Sequence, residues 1–301
     1  MNVPSIANLD HDEFGYIPYP FRADCGEYVI DSLSDIAEKV AAVESCANPD
    51  GYYYPPQQMS CSIDPVTEEM IPKPRTTRPA LLHRLPTTHT IRHRDGNPLP
   101  KMFRDQDGAL IIHLLALLYR TRCQFSTWWF DGRVRVKRDR VAWFEDIDGT
   151  VSAVLARVLR EWKTWPADRR HAYTNALLMH SRAATYELEW ERFLFEYLTL
   201  DATWAAARIH RGRRDSPHAE RIGILCGRFG LYKLPSQVDE LVRLRNDLFH
   251  EALWDMSRSS AATAYVLLDN LNARLLLAVG GVRGQFAAVW ASLSNVIFGF
   301  E

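Results

Sequence analysis

The chain lacks most features that announce a function directly. Its longest apolar run, Ala109–Tyr119, is about eleven residues and contains His113. A bilayer span needs roughly twenty, so this run reads as a buried helix. The five cysteines, Cys25, Cys46, Cys61, Cys123 and Cys226, are odd in number, far apart and without a C-x-x-C pair. That excludes a disulfide framework and a zinc-finger pattern and suits reduced cytoplasmic thiols. Met1 to Glu13 has acids and no apolar block, which argues against a secretory signal. No Walker-type loop, nucleophile elbow or internal repeat is present, and Gly227–Gly230 is too short to cradle phosphates. The spacing of His83, His89 and His93, interrupted by Pro86, matches no standard metal site. These absences predict a cytoplasmic protein with no membrane span, metal or other cofactor.

What is present is a chain of 301 residues, 47% apolar, with nine Trp and thirteen Phe. That length suits about two domains with substantial cores. The formal charge of −1 is a cancellation. Residues 1–70 carry thirteen acidic side chains against only Arg22 and Lys39, whereas residues 71–301 carry 34 basic and 24 acidic ones. Such a split points to an anionic partner, or to an acidic segment that competes for that partner's site. On the second reading, residues 1–70 lie over a basic cleft until a trigger displaces them.

Three stretches follow. Residues 1–107 hold most of the sixteen prolines and read as an irregular acidic region with a helix at Ser32–Ser45 and a strand pair in Leu81–Arg94. Residues 108–164 form a connecting region: the apolar helix Ala109–Thr121, a β-hairpin over Gln124–Val136 turning at Asp131-Gly132, and a helix Val151–Trp162 capped by Asp148 or Thr150. Trp128, Trp129 and Phe130 read as core; the alternative is a base-stacking platform beside Arg133, Arg135, Lys137, Arg138 and Arg140. Residues 165–301 are expected to be an all-α bundle, with helices near 167–183, 185–209, 217–229, 236–253, 260–279 and 284–297. The fold class is therefore mainly α, with an irregular α+β N-terminal region.

Two of these helices carry unlike charges on apolar faces. At about 100° per residue from Val238, the 236–253 helix places Leu244, Leu248, Leu241, Phe249 and Val242 from about 240° to 40°, with Arg245 inside that arc at about 340°. From Trp190, the 185–209 helix places Asp201 at about 20° within its apolar arc. Arg245 and Asp201 are expected to pair or to face one pocket, as a buried ion pair fixing register or as part of a site. His250 lies about 140° from Arg245 on the wheel, so an ideal straight helix does not aim both at one atom.

Arg245 to His250, RNDLFH, resembles the R-x4-H motif of the HEPN superfamily, with Asn246 as the polar residue that often follows the arginine. Arg192 to Asp201, RFLFEYLTLD, resembles an earlier helix of Apea-like HEPN domains, where an acidic residue ends a similar run. Four R-x4-H spacings occur in the chain; those beginning at Arg78, Arg84 and Arg213 have prolines about them and no long amphipathic helix. The resemblance covers about residues 165–285. It implies a HEPN-like helical bundle, a dimer, and metal-independent cleavage of RNA by attack of a ribose 2′-OH on the adjacent phosphate, in a toxin or anti-phage defence setting. His250 would move the proton, Arg245 would stabilise the charged phosphorane, Asn246 would orient phosphate or His250, and Asp201 would hold Arg245. Arg208, Arg211, Arg213, Arg214, Arg221 and Arg228, in the basic stretch between the two helices, would contact RNA phosphates. Other members of the superfamily are non-catalytic binding modules. A module that binds nucleic acid or protein, or a sensor gated by its N-terminal region, is thus the alternative.

Overall fold

The computed structural model describes residues 12–53, 59–63, 67, 70–74, 85–128, 133–136, 147–207, 217–230, 235–251, 254 and 258–282. The chain is mainly helical, with small antiparallel sheets in its N-terminal part. Among the described residues, no helix is long and apolar enough to cross a membrane.

The main sheet has the order β2 (Ala23–Asp24), β3 (Tyr28–Ser32), β7 (His89–His93), β1 (Asp12–Gly15), β8 (Gln124–Phe125). Ile30 stands opposite Ile91, and Phe14 opposite both His89 and Phe125. These residues form a fully buried face because side chains on alternate strand positions share one side. Two further ladders join β4 (Tyr52–Tyr53) to β9 (Val134–Arg135) and β5 (Met59–Ile63) to β6 (Met70–Pro74). Residues 1–107 are thus more regular than their prolines suggest. Helix α1 (Ile36–Ser45) starts four residues later than expected, because Ser32 belongs to β3.

Two strand assignments need correction. Within Gln124–Val136, β8 pairs with β1 and β9 with β4, so the expected hairpin does not form. The amide of Trp128 donates to the carbonyl of Phe125 at 3.0 Å, which turns the chain out of the sheet directly after β8. The expected turn at Asp131-Gly132 lies outside the described residues. In Leu81–Arg94, only β7 is a described strand; it pairs with β3 and β1, and residues 81–84 lie outside the described set.

Helix α2 (Asp107–Leu118) is buried from Gly108 to Leu118 and packs between the sheet, α3 (Ile147–Lys163) and α4 (Ala167–Ala183). Apolar residues all round a helix leave it no solvent face. Helix α3 begins at Ile147, so Asp148 and Thr150 lie inside its first turn and do not cap it. Helix α5 (Glu189–Ala207) touches α4, α6 (His218–Phe229), α7 (Pro235–Glu251) and α8 (Arg258–Val279). One continuous core runs from Phe14 to Val282, through the sheet, α2, α3 and the helices beyond, without a break at 107 or 165. The helix expected at 284–297 lies outside the described residues.

Two buried imidazoles tie this core to pH. His89 stacks on Phe14 and packs against Phe21, and His113 lies in α2. Burial pushes both down to about 3. Both are neutral in the folded chain at neutral pH, while the unfolded chain binds protons below about 6.5. Stability is therefore full above pH 6.5 and falls on acidification by up to about 1.4 kcal/mol per pH unit for each histidine. Urea midpoints at pH 7, 6 and 5 should decline, less steeply in His89→Leu; equal slopes in wild type and variant would contradict this origin.

Candidate active site

The site is assembled where α5, α6 and α7 meet. Arg245 Nη1 donates to Asn246 Oδ1 at 3.0 Å and lies 3.2 Å from His250 Nε2. Five residues apart on an ideal helix, the two Cα–Cβ directions diverge by about 140°; the reach of the long arginine side chain bridges the gap. With the guanidinium donating, the neutral imidazole carries its proton on Nδ1. The Arg245 guanidinium also lies 4.7 Å from the Phe249 ring centroid and 6.0 Å from that of Tyr197. Asn246 and His250 are exposed and Arg245 is half-buried.

The apolar arc expected on this helix is narrower in the structure. Val238, Leu241 and Leu244 are buried, Leu248 is half-buried, and Phe249 is 42% exposed. Arg245, between Leu241 and Val238 on the wheel, still falls within the buried stripe and is itself half-buried. Its Nε is buried without a hydrogen-bond partner among the described residues.

Asp201 and Arg245, expected to pair or to face one pocket, form no direct ion pair; they act on each other within one cluster. The Asp201 carboxylate lies 3.6 Å from His218 Nδ1 and 3.9 Å from Arg221 Nη1, both on α6. Arg245 acts on Asp201 through space: burial raises the Asp201 pKa, and the charges of His218, Arg221 and Arg245 oppose that rise. His218 is pushed the other way. Burial lowers its pKa, Asp201 opposes this, and the charges of Arg245 and Arg221 add to the lowering. Tyr197 lies one helical turn before Asp201, its ring 5.6 Å from that of His218 and its buried hydroxyl unpartnered among the described residues. Arg221, Arg245 and His218 thus act on one carboxylate, and His250 joins the cluster through Arg245. Even with both imidazoles neutral, the cluster carries a net positive charge.

Of the expected phosphate-contacting arginines, Arg221 is part of this cluster. Arg228 is exposed at the far end of α6 beside Phe229. Arg208, Arg211, Arg213 and Arg214 lie outside the described residues. In the sequence, His218 stands only at the end of a proline-flanked R-x4-H spacing. In the structure, Pro217 immediately precedes α6, the kind of place where proline is well tolerated. His218 and Arg221 then share a face at i,i+3, the signal that was available for finding them.

The acids of the N-terminal stretch are engaged elsewhere. Asp12 pairs with Lys101, Asp24 with Arg94, and Glu27 with Lys163. Among the described residues, none of the acids of 12–53 forms an ion pair with the α5–α7 cluster, so this part of the acidic stretch does not lie over it. Likewise, Arg133 is no surface cation awaiting a nucleic acid. It is buried, donates to the carbonyls of Thr185 at 3.1 Å and Tyr186 at 2.7 Å, and stacks on Tyr52. Trp128 packs against Phe125 and His113, while Trp129 and Phe130 lie outside the described residues.

A second polar cluster lies deep between α4, α5 and α8. His180 Nδ1 is 3.0 Å from Glu196 Oε2, and Asn272 Nδ2 donates to the same oxygen and to the Glu196 carbonyl, each at 2.7 Å. His180 Nε2 is 3.8 Å from Asp269, which also pairs with Arg120. Donor atoms of His180, Glu196 and Asp269 lie within 4.8 Å of one another, as metal ligands would. However, His180 turns opposite ring nitrogens toward the two carboxyl groups, and Arg120 already balances Asp269. This arrangement is a hydrogen-bonded link between helices.

Compared with protein-family models, with curated proteins and with solved structures, the chain finds no match.

Proposed function

We propose that the α5–α7 cluster is the active site of a HEPN-type, metal-independent endoribonuclease. The observation that carries this reading is the 3.2 Å approach of Arg245 to His250 at an exposed helix end. It supplies a cation and a proton-transfer group to one point, the minimum that cleavage of an RNA phosphodiester requires. A ribose 2′-oxygen attacks the adjacent phosphorus and loses its proton to an imidazole. The bond from phosphorus to the 5′-oxygen breaks, and that oxygen takes up a proton. The products are a 2′,3′-cyclic phosphate and a 5′-hydroxyl. Arg245 shifts from His250 to the non-bridging oxygens as negative charge grows there, Asn246 orients the phosphate or His250, and Arg221 adds charge from α6. Asp201 is assigned to holding the α6 pair His218 and Arg221, and it biases Arg245 only through space.

Phe249 leaves apolar surface beside the site, which a second copy of the chain can cover; the active form is proposed as a homodimer that places two such sites together. A role in toxin or anti-phage defence, with a protein or ligand trigger, belongs to the same reading, as does a cytoplasmic setting. Incubation with a pool of structured and unstructured RNAs in excess chelator tests it. Cleavage that persists in chelator and leaves cyclic phosphate ends is the expected result. RNA that is bound but never cut would identify a non-catalytic HEPN-like binding module, and RNA that is neither bound nor cut would remove both readings.

A further inference from the structure

We propose that a cavity between the sheet, α2 and α4 binds a small organic phosphate bearing a planar ring, of the nucleoside phosphate class. The cavity, about 240 Å³, is distinct from the α5–α7 cluster and shares no residue with it. Its wall is built from separated segments: the loop before α2, α2 itself, the chain entering β8, and α4. Lys101, Arg104, Arg122 and Arg182 line it, and among the described residues no carboxylate does. Lys101 is held by Asp12. The hydrogen bond of Arg104 is to the neutral side-chain oxygen of Asn175, so no carboxylate among the described residues balances its charge.

His113 supplies the second, independent sign of a ligand. It is 4% exposed, lines the cavity, and its Nδ1 has no hydrogen-bond partner among the described residues. A buried polar atom normally finds one. Burial, reinforced by the charges of Arg122, Arg104 and Arg182, lowers the pKa of this imidazole, and the same three arginines line the cavity. Guanidiniums gathered around a neutral donor or acceptor suit a phosphate, which can take two parallel hydrogen bonds from each fork.

The rest of the lining includes two aromatic side chains, Phe103 and Trp128. The half-buried Trp128 has its ring 5.8 Å from that of His113. Phe103 is 64% exposed. An aromatic base packed on either ring would cover surface that water otherwise meets. Ligand pockets usually run from about 300 to 1,000 Å³, so this one suits a mononucleotide and not a dinucleotide.

Calorimetric titration of the full chain with adenosine monophosphate, inorganic phosphate and adenosine tests the proposal. The monophosphate should bind about tenfold or more tightly than either fragment, since each supplies only part of the contacts. Arg104→Gln and Trp128→Leu, each checked for an unchanged circular dichroism spectrum and melting point, should weaken it about tenfold, while Arg245→Ala should leave it unchanged. No binding of the monophosphate at millimolar concentration would overturn the proposal. Binding lost in Arg245→Ala but kept in Arg104→Gln would overturn it too, by assigning the ligand to the α7 site. Equal affinity for inorganic phosphate would remove the ring from the assignment. None of these readouts depends on RNA cleavage, so each stands whether or not the α7 site is catalytic.

Discussion

Alanine in place of Arg245 is expected to slow RNA cleavage by about 100- to 1,000-fold, the usual cost of deleting a preorganised donor aimed at developing charge. Arg245 is fixed before substrate arrives: Asn246 and His250 sit 3.0 and 3.2 Å from the same Nη1, and Phe249 lies against the guanidinium face. Little reorganisation is then required when a phosphorane oxygen replaces His250 as its partner. Arg245→Lys should restore only a fraction of the rate, because an ammonium cannot present the planar fork that grips two phosphate oxygens. RNA affinity should fall far less than the rate, since Arg221 and the basic stretch before α6 remain. Single-turnover rates on one RNA, measured beside filter-binding affinities, separate the two effects. A variant that binds weakly but cleaves at the wild-type rate when saturated would give Arg245 a binding role alone.

Glu196→Ala should destabilise the fold by about 3–5 kcal/mol, as expected when one partner of a buried polar network is deleted. Glu196 is completely buried, and its Oε2 accepts from both His180 and Asn272. Removing it leaves both donors without that partner in the seam between α4, α5 and α8, and opens a cavity besides. A loss of this size corresponds to roughly 6–10 °C in melting temperature for a chain of this size. Glu196→Gln, which keeps the shape and one acceptor, should cost less than half as much. If Glu196→Ala melts within a degree or two of wild type, the network is not a structural link and its metal-like geometry becomes the better explanation.

The strongest local patterns were legible in the sequence. The unbroken apolar run of α2 could only be a buried helix, and the helices of the C-terminal half follow their 3.6-residue periodicity with ends close to those expected. The N-terminal strands were not legible, because their partners lie far off in the chain: β8 finds β1 and β9 finds β4, although an Asp-Gly between them signals a local turn. Glu196 escaped notice because a wheel drawn through one apolar arc cannot show that α5 is packed on more than one side. Arg245 and His250 show the opposite failure. Their angular separation is correct for Cα positions, but the reach of an arginine closes the gap. His218 was hidden because the R-x4-H spacing that it ends crosses Pro217, although a helix was expected from that proline onward. The cavity beside His113 draws on segments spread from Lys101 to Arg182, and no linear motif can announce such a site.

The most direct measurement of the central claim is the cleavage rate of one mapped RNA, in chelator, by wild type and by His250→Ala at saturating protein. If His250 moves a proton in the reaction, the wild type leaves a 2′,3′-cyclic phosphate and the variant is slower by about 100- to 10,000-fold. RNA binding and melting temperature should stay unchanged. Equal rates from the two proteins would contradict the assignment of the active site to α7.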